Sequence, residues 1–294
     1  EVVQNSCNPG FIELGDRLGK DRLFKYIRNF GFGQKTGIDL QGEGSGILFN
    51  LDKVGPVEQA TTSFGQGVSV TPIQQVAAVA AAVNGGTLYQ PYIAKEFIDP
   101  KNNQVVSKKT PVEKRKVISK ETSEKVRYAL ENVVAKGSGK GAFIDGYRVG
   151  GKTGTAQKVK DGKYLENNYI VSFIGFAPAD DPEIVVYVAV DNPKGVTQFG
   201  GVVAAPIVGN ILRDALPVMG VKPRKEQVER EYKWGDTPTV EVPNLIGMKK
   251  KDLQTQLVDL KLDISGDGEK VIKQSPEAGA KVKEGSKIRI YFGN

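Results

Sequence analysis

The clearest indication of the fold is the sequence YRVGGKTGTAQKVKDGKYLENNYIVSFIGFAPADDPEIVVYVAVDN, at residues 147–192. It contains three stretches rich in the β-branched and aromatic residues that favour strands, separated by the turn sequences DG and PADDP. The three stretches are 147–157, 169–177 and 183–192. Because the connections are short, we predict that these strands form an antiparallel meander.

Apolar periodicity elsewhere predicts helices that flank this sheet. Thr71-Pro72 provides an N-cap and a proline at the first helical position, Ser119 caps another amphipathic segment, and Gly19 interrupts a helical pattern near the N-terminus. The predicted helices cover about 71–83, 119–134 and 201–216, with one or two more within 12–30. The expected class is therefore α/β (α+β), an antiparallel sheet flanked by helices.

The C-terminal part predicts a separate small α+β domain. A polar, charged segment precedes it, and a helix with Leu253, Leu257 and Leu260 on one face is followed by two predicted strands. The last strand, 287–292, alternates apolar and polar residues. We therefore expect a large domain at 1–218, a linker at 219–238 and a small domain at 239–294.

The composition excludes several kinds of chemistry. The 294 residues contain no histidine and one cysteine, so this sequence cannot supply a Ser-His-Asp triad or a zinc site of the usual His/Cys kind. We expect no metal and no cofactor. The net charge is +7, and Pro111 and Glu113 interrupt the densest basic cluster, 108–116, so we expect no nucleic-acid partner. The longest apolar run, 76–83, is too short to span a membrane.

Two short motifs carry the candidate chemistry. Ser6-Cys7-Asn8 precedes a helix, and Lys152-Thr153-Gly154 lies within a predicted strand. Taken alone, Ser6 or Asn8 would serve equally well as a helix cap, and the glycines around Lys152 fit a buried bulge as well as a close approach by another chain. A second Lys-Thr-Gly, at 35–37, lies in a glycine-rich loop with no strand partner after it, so we choose Lys152.

The order of these motifs resembles that of class B penicillin-binding proteins, in which Ser-x-x-Lys, Ser-x-Asn and Lys-Thr-Gly occur together. The resemblance covers almost the whole chain and includes FGFGQKTG at 30–37 and SFGQG at 63–67. VPNL at 242–245 and QSPEAG at 274–279 resemble a PASTA module, and a single copy is similar to the sporulation-type members. No Ser-x-x-Lys is present in these residues. The resemblance therefore implies that the nucleophilic serine lies upstream of residue 1.

The resemblance also implies an activity and a role for each matching residue. The activity is that of a D,D-transpeptidase, which cross-links peptidoglycan stem peptides ending in D-Ala-D-Ala through an acyl-serine and binds β-lactams. Lys152 and Ser6 would be catalytic together with Asn8, which holds the substrate amide. The expected substrate-binding residues are Thr153, Gly154 and Thr155. Gln66, in a loop flanked by glycines, is a further candidate for substrate binding, although a purely structural loop explains this pattern at least as well.

The implied location is the extracytoplasmic face of a bacterial membrane, with an anchor upstream of this chain. Implied partners are a membrane glycosyltransferase and proteins of the division or sporulation machinery.

Three alternatives stay open at this stage. Cys7 could be a nucleophile, but a thiol needs an activating base or cation and the chain has no histidine, so we expect it to be a small packing residue. A β-lactamase would need a deacylating carboxylate near the serine, which nothing in the sequence indicates. A non-catalytic wall-binding or scaffold protein is the alternative from another class.

Overall fold

The computed structural model describes residues 1–160, 163–230, 239–255 and 260–293. The helices are α1 (Val2–Asn5), α2 (Asn8–Leu18), α3 (Lys20–Asn29), α4 (Pro56–Ser63), α5 (Pro72–Val83), α6 (Lys120–Lys136) and α7 (Gly200–Val218). Short 3-10 helices cover Leu51–Lys53, Lys140–Ala142 and Lys250–Thr255.

The strands of the large domain are β1 (Thr87–Gln90), β2 (Glu96–Ile98), β3 (Val105–Lys108), β4 (Val112–Lys116), β5 (Gly150–Lys160), β6 (Lys163–Ala177) and β7 (Ile184–Asp191). Those of the small domain are β8 (Thr239–Glu241), β9 (Lys261–Ser265), β10 (Lys270–Ser275), β11 (Lys281–Lys283) and β12 (Lys287–Gly293).

The predicted meander forms an antiparallel sheet in the order β5-β6-β7, and its register pairs Lys152 with Ile174. The first turn sequence, DG at 161–162, lies outside the described residues. Since β6 pairs on both sides, β5 is an edge strand among the described strands. The strand that carries Lys152 therefore has one long side on which no described strand pairs.

Helices cover both faces of this sheet. Phe173 on β6 contributes to a core with α6 and α7, whereas Phe176 faces a second cluster that includes Val83 of α5. Because successive strand residues point to opposite faces, the two rings lie on opposite sides of the sheet. The glycines at 150 and 151 leave room for these rings, since an added Cβ would meet the Phe176 ring at 2.3 Å and the Phe173 ring at 2.5 Å.

The helix ends agree with the sequence signals. Thr71 accepts a hydrogen bond from the backbone of Gln74, whose side chain bonds back to the Thr71 backbone N–H, forming a capping box. Ser119 caps α6 by accepting a hydrogen bond from the backbone N–H of Thr122 at 3.1 Å. Gly19 separates α2 from α3 with a φ of 77°, a conformation that favours glycine.

Helix α7 is long and apolar enough to cross a membrane by length and composition alone. One face of it is buried on the sheet, where Ala204, Val208, Leu212 and Leu216 are inaccessible to solvent. This contact gives α7 the position of a core helix. Helix α6 is tied to the segment just before β5 by a bidentate ion pair between Arg148 and the buried Glu131, at 2.9 and 2.7 Å.

The small domain has its own core, formed by Val242, Leu245, Leu253, Val271, Val282, Ile288, Ile290 and Phe292. The last strand alternates as predicted, with Ile288, Ile290 and Phe292 buried. The sequence predicted two strands here, and the structure has more. Strands β8 and β11 pair with each other, and β9 pairs in parallel with β12. The described part of the predicted helix is 3-10, and Leu257 lies outside the described residues.

The described part of the predicted linker, residues 219–230, lies against the large domain. Arg224 pairs with Asp180 through two hydrogen bonds of 2.7 and 2.9 Å, and its backbone N–H donates to the carbonyl of Gly146 at 2.7 Å. Gln227 accepts a hydrogen bond from the backbone of Gly146. The polar composition of this segment therefore reflects an ion pair and hydrogen bonds with the large domain as well as exposure to water.

Candidate active site

Lys152 and Ser6, which are 146 residues apart, are brought into direct contact. The Nζ of Lys152 donates a hydrogen bond to the Ser6 hydroxyl and a second one to the carbonyl of Thr153 at 3.2 Å. Lys152 is half-buried, and burial lowers its pKa from 10.5 to about 8. No carboxylate of the described residues lies within 4 Å of its amine. The site thus holds a cation without an anionic partner among these residues.

Ser6 is held in place by the turn that ends α1. It adopts a left-handed conformation with φ 55° and ψ 46°, which is uncommon for a residue with a side chain. The carbonyl of Gln4, in the preceding helix, accepts a hydrogen bond from the backbone N–H of Ser138 at 3.2 Å. At Gly137 an added Cβ would lie 2.2 Å from the same carbonyl, so the close approach of α1 to the end of α6 requires glycine.

The rest of the first motif is exposed. Asn8 is the first residue of α2 and its side chain is open to solvent, as a group that binds an external ligand must be. Cys7 is a free, exposed thiol, so the expectation that it is a packing residue is wrong. The reason is that the turn between α1 and α2 directs residue 7 outward while Ser6 faces Lys152.

The residues after Lys152 differ in their surroundings. The Thr153 hydroxyl lies 3.2 Å from that of Ser138 and 3.4 Å from the Lys152 amine. The exposed Thr155 hydroxyl accepts a hydrogen bond from the Gly200 backbone at 3.3 Å. Packing explains the glycine at position 154, since an added Cβ would meet the Ser172 hydroxyl at 2.5 Å.

Gln66 lies in a tight loop after α4, between two glycines with φ of 88° and 75°. Its backbone N–H donates to the Thr61 carbonyl at 2.9 Å. Helix α4 packs on α2 through Gln59, whose side chain donates to the Gly15 carbonyl at 3.1 Å. No hydrogen bond between described side chains joins Gln66 to Ser6 or Lys152, so its predicted role stays a prediction.

The second Lys-Thr-Gly, at 35–37, has a structural role. Thr36 is buried, and its hydroxyl and backbone N–H both donate to one oxygen of Glu43, at 2.5 and 2.6 Å. The backbone N–H of Gly37 donates to the other oxygen at 3.0 Å. Partial burial is the largest single effect on Glu43 and raises its pKa. The hydrogen bonds from Thr36 and Gly37 together outweigh it, so the pKa of Glu43 is lower than usual. The polar groups of this copy are committed to a loop contact with a carboxylate, whereas Lys152 contacts hydroxyl and carbonyl groups and has the exposed Ser138 and Thr155 close by.

Ser138 was missed by the sequence reasoning. It belongs to a Gly-Ser-Gly turn after α6, and neither its spacing nor its type distinguishes it from an ordinary helix end. A large cleft also lies away from Lys152. Its volume is about 1400 Å³, and residues of both domains line it, among them Arg213, Lys225 and Lys281.

Comparison with known proteins now identifies the family. The family model for the penicillin-binding protein transpeptidase domain matches residues 1–213, and the PASTA domain model matches residues 240–294. The chain belongs to the penicillin-binding protein transpeptidase family. The resemblance inferred from the two motifs is thereby confirmed, and so is the expected fold class.

Relatives of this transpeptidase-family chain include proteins with sporulation and transpeptidase names. Stage V sporulation protein D of Bacillus subtilis (strain 168) is 75% identical over 292 residues, covering 99% of this chain and 45% of that protein. A probable peptidoglycan D,D-transpeptidase PenA of Neisseria meningitidis is 33% identical over 225 residues, covering 76% and 37%. The chain thus spans less than half the length of these curated relatives.

Solved structures of penicillin-binding proteins share the fold. Penicillin-binding protein 3 of Mycobacterium tuberculosis, in complex with ampicillin, matches with a TM-score of 0.70 and 31% identity, covering 76% of this chain and 52% of that one. The transpeptidase domain of penicillin-binding protein 3 from Burkholderia pseudomallei matches with a TM-score of 0.67 and 34% identity, covering 76% and 64%.

Proposed function

We propose that the full-length protein is a serine-type peptidoglycan D,D-transpeptidase that is also acylated by β-lactams. The observation that carries the proposal is the contact between Lys152 and Ser6, made at an edge strand and without a carboxylate partner among the described residues. The names of the relatives support the same activity, and one related structure contains ampicillin.

In the proposed reaction, a serine upstream of residue 1 attacks the carbonyl carbon of the penultimate D-Ala. An ester bond to the serine oxygen forms, the peptide bond to the terminal D-Ala breaks, and the serine proton ends on the leaving amine. Ser6 relays this proton, and the Lys152 ammonium orients Ser6 by donating to its hydroxyl. The amino group of a second stem peptide then attacks the ester carbonyl. The new amide bond forms as the ester bond breaks, and a proton of the attacking amine returns to the serine oxygen.

The remaining predicted residues bind and polarise the substrate. The substrate strand adds beside β5, and its terminal carboxylate accepts hydrogen bonds from Thr153 and Thr155 near the Lys152 cation. The Thr155 backbone N–H is the proposed second oxyanion donor, and Asn8 holds the substrate amide. Gln66 and Gly154 complete the proposed binding surface.

A labelled penicillin tests this proposal on the full-length protein. We expect one stable adduct, which peptide mapping by mass spectrometry assigns to a serine of a Ser-x-x-Lys sequence outside these 294 residues. An unlabelled full-length protein would favour the scaffold alternative, and rapid loss of the label would favour a β-lactamase. An adduct on any residue of this chain would contradict the proposed nucleophile.

The 75% identity to a stage V sporulation protein favours a role in sporulation over one in division. We propose that the enzyme acts on the extracytoplasmic side of the membrane, with an upstream anchor, and works with a membrane glycosyltransferase. Deletion of the gene should lower the yield of heat-resistant spores and leave vegetative division unchanged. Filamentous vegetative cells would indicate a division role instead.

A further inference from the structure

Ser138 places a second hydroxyl beside the Lys-Thr-Gly motif. Its side chain is exposed, and its Oγ lies 3.2 Å from the Oγ1 of Thr153. Thr153 Oγ1 is in turn 3.4 Å from the Lys152 amine, which contacts Ser6. A line of polar groups therefore runs from Ser138 through Thr153 and Lys152 to Ser6.

The donors along this line decide which way the Thr153 proton points. A charged lysine amine has only donors, so Thr153 Oγ1 must accept from Lys152. A hydroxyl offers two acceptor positions and a single proton. If Ser138 donates to the second acceptor position, the Thr153 proton has no partner among the described residues and is free for an external acceptor.

We propose that Ser138 is a positioning residue that directs the Thr153 hydroxyl proton toward the terminal carboxylate of the substrate. This inference rests on the proposed transpeptidase function and adds a determinant of carboxylate recognition to it. The Thr153 methyl group points toward the start of α7, where a Cβ added at Gly201 would lie 3.5 Å from Thr153 Cγ2. Because threonine is β-branched, the position of the methyl group also sets the direction of the hydroxyl.

The backbone of Ser138 is fixed by contacts that do not involve its hydroxyl. Its N–H donates to the Gln4 carbonyl, and the N–H groups of Gly137 and Gly139 both donate to the Val133 carbonyl, at 3.1 and 2.9 Å. Its own carbonyl is covered by α7, since a Cβ at Gly201 would lie 2.4 Å from it. Ser138→Ala should therefore remove the hydroxyl and leave the turn intact.

The test compares two acyl donors on the full-length protein. One is a D-Ala-type thioester with a free terminal carboxylate, and the other is the same thioester with that carboxylate replaced by an amide. In each case the serine–acyl ester forms as the C–S bond breaks, and the thiol leaves with the serine proton. The quantity compared is the ratio of the two second-order acylation rate constants.

We expect Ser138→Ala to lower the rate constant of the carboxylate donor about fivefold, the size expected for one lost neutral hydrogen bond, and that of the amide donor less than twofold. Ser138→Thr should restore the carboxylate preference because it keeps a hydroxyl at the same position. Ser107→Ala, an exposed serine on β3, is the matched control and should change neither rate constant.

The outcomes separate this inference from the proposed function. An equal fall with both donors would show a purely structural role for Ser138 and overturn the inference. Rate constants that are unchanged for both donors in Ser138→Ala would overturn it as well. If the unaltered full-length protein reacts with neither donor nor with penicillin, the transpeptidase proposal fails and the inference fails with it.

Discussion

Lys152 holds a positive charge beside Ser6 with no carboxylate partner among the described residues, whereas Lys35 is exposed beside a loop whose threonine is bonded to Glu43. In the full-length protein we expect Lys152→Ala to slow acylation by penicillin by about 10²–10³-fold, because it removes the group that orients the proton relay and attracts the carboxylate. The second-order rate constant for a labelled penicillin measures the effect.

Lys35→Ala is the matched control, because it alters the other Lys-Thr-Gly copy. It should leave the rate constant within about twofold of the unaltered protein, since the contacts of this loop are made by Thr36, Gly37 and Glu43. Equal effects of the two substitutions would contradict the choice of Lys152.

The pH dependence of acylation follows from the burial of Lys152. Burial lowers its pKa to about 8, so the amine is charged below that pH and neutral above it. Because the proposed role needs the charged form, the second-order rate constant, which reflects the free enzyme, should fall as pH rises through about 8. It should fall about tenfold per pH unit above that point.

Lys152→Arg provides the control for this profile. A guanidinium remains charged throughout the range, so any activity it retains should not fall near pH 8. A rate constant that rises through pH 8 in the unaltered protein would instead indicate that neutral Lys152 acts as a base.

The sequence predicted which two motifs meet but not what surrounds them. Ser6 and Lys152 were identified because two motifs occur in a known order, and the structure brings them into contact. Ser138 has no such signal, because its proximity to Thr153 depends on how α6 ends beside β5. The exposure of Cys7 depends likewise on the left-handed turn at Ser6, which a sequence pattern does not specify.

At the scale of elements, the end of α6 sets the position of α1 and hence of Ser6. Gly137→Ala should displace α1, because the added Cβ would lie 2.2 Å from the Gln4 carbonyl, a backbone atom that can yield only if the helix moves. Small displacements of reacting groups cost large factors in rate, so we expect acylation of the full-length protein to fall about 10- to 100-fold.

Gly44→Ala is the matched control, since its added Cβ would make only an ordinary contact, 3.6 Å from Thr71 Cγ2. Thermal unfolding of both variants should show a folded protein, and penicillin acylation should separate them. A Gly137→Ala protein that is acylated at the unaltered rate would show that α1 does not depend on this contact.

The elements with strong local signals were those that the sequence predicted well. The helix that begins with the capping box at Thr71 and the helix capped by Ser119 both start and end within two or three residues of the expected positions. In the small domain the short strands β8 and β11 were missed, because three residues are too few to show alternation. Their pairing is stabilised by the shared core around Val242 and Val282, which is a tertiary effect.

At the scale of the whole molecule, the two domains have separate cores and, among the described residues, few direct polar contacts. The small domain buries Leu245, Leu253 and Ile288 among its own residues. Arg289 reaches Asp214 of the large domain at 3.4 Å, but both side chains are about half exposed. An exposed pair of this kind contributes about 0–1 kcal/mol. Residues 219–230, by contrast, contact the large domain, where Arg224 forms an ion pair with Asp180.

We therefore predict that residues 239–294 fold alone and are dispensable for acylation. Expressed by itself, this segment should give dispersed amide signals in an NMR spectrum and unfold cooperatively at low stability, as expected for about 55 residues. In the full-length protein, deletion of 231–294 should leave both penicillin acylation and the melting temperature of the large domain unchanged. Deletion of 219–294 should lower that melting temperature, because it also removes Arg224 and the Gln227 contact with Gly146. A disordered isolated segment, or loss of acylation in a folded 231–294 deletion, would contradict this division between chemistry and the PASTA domain.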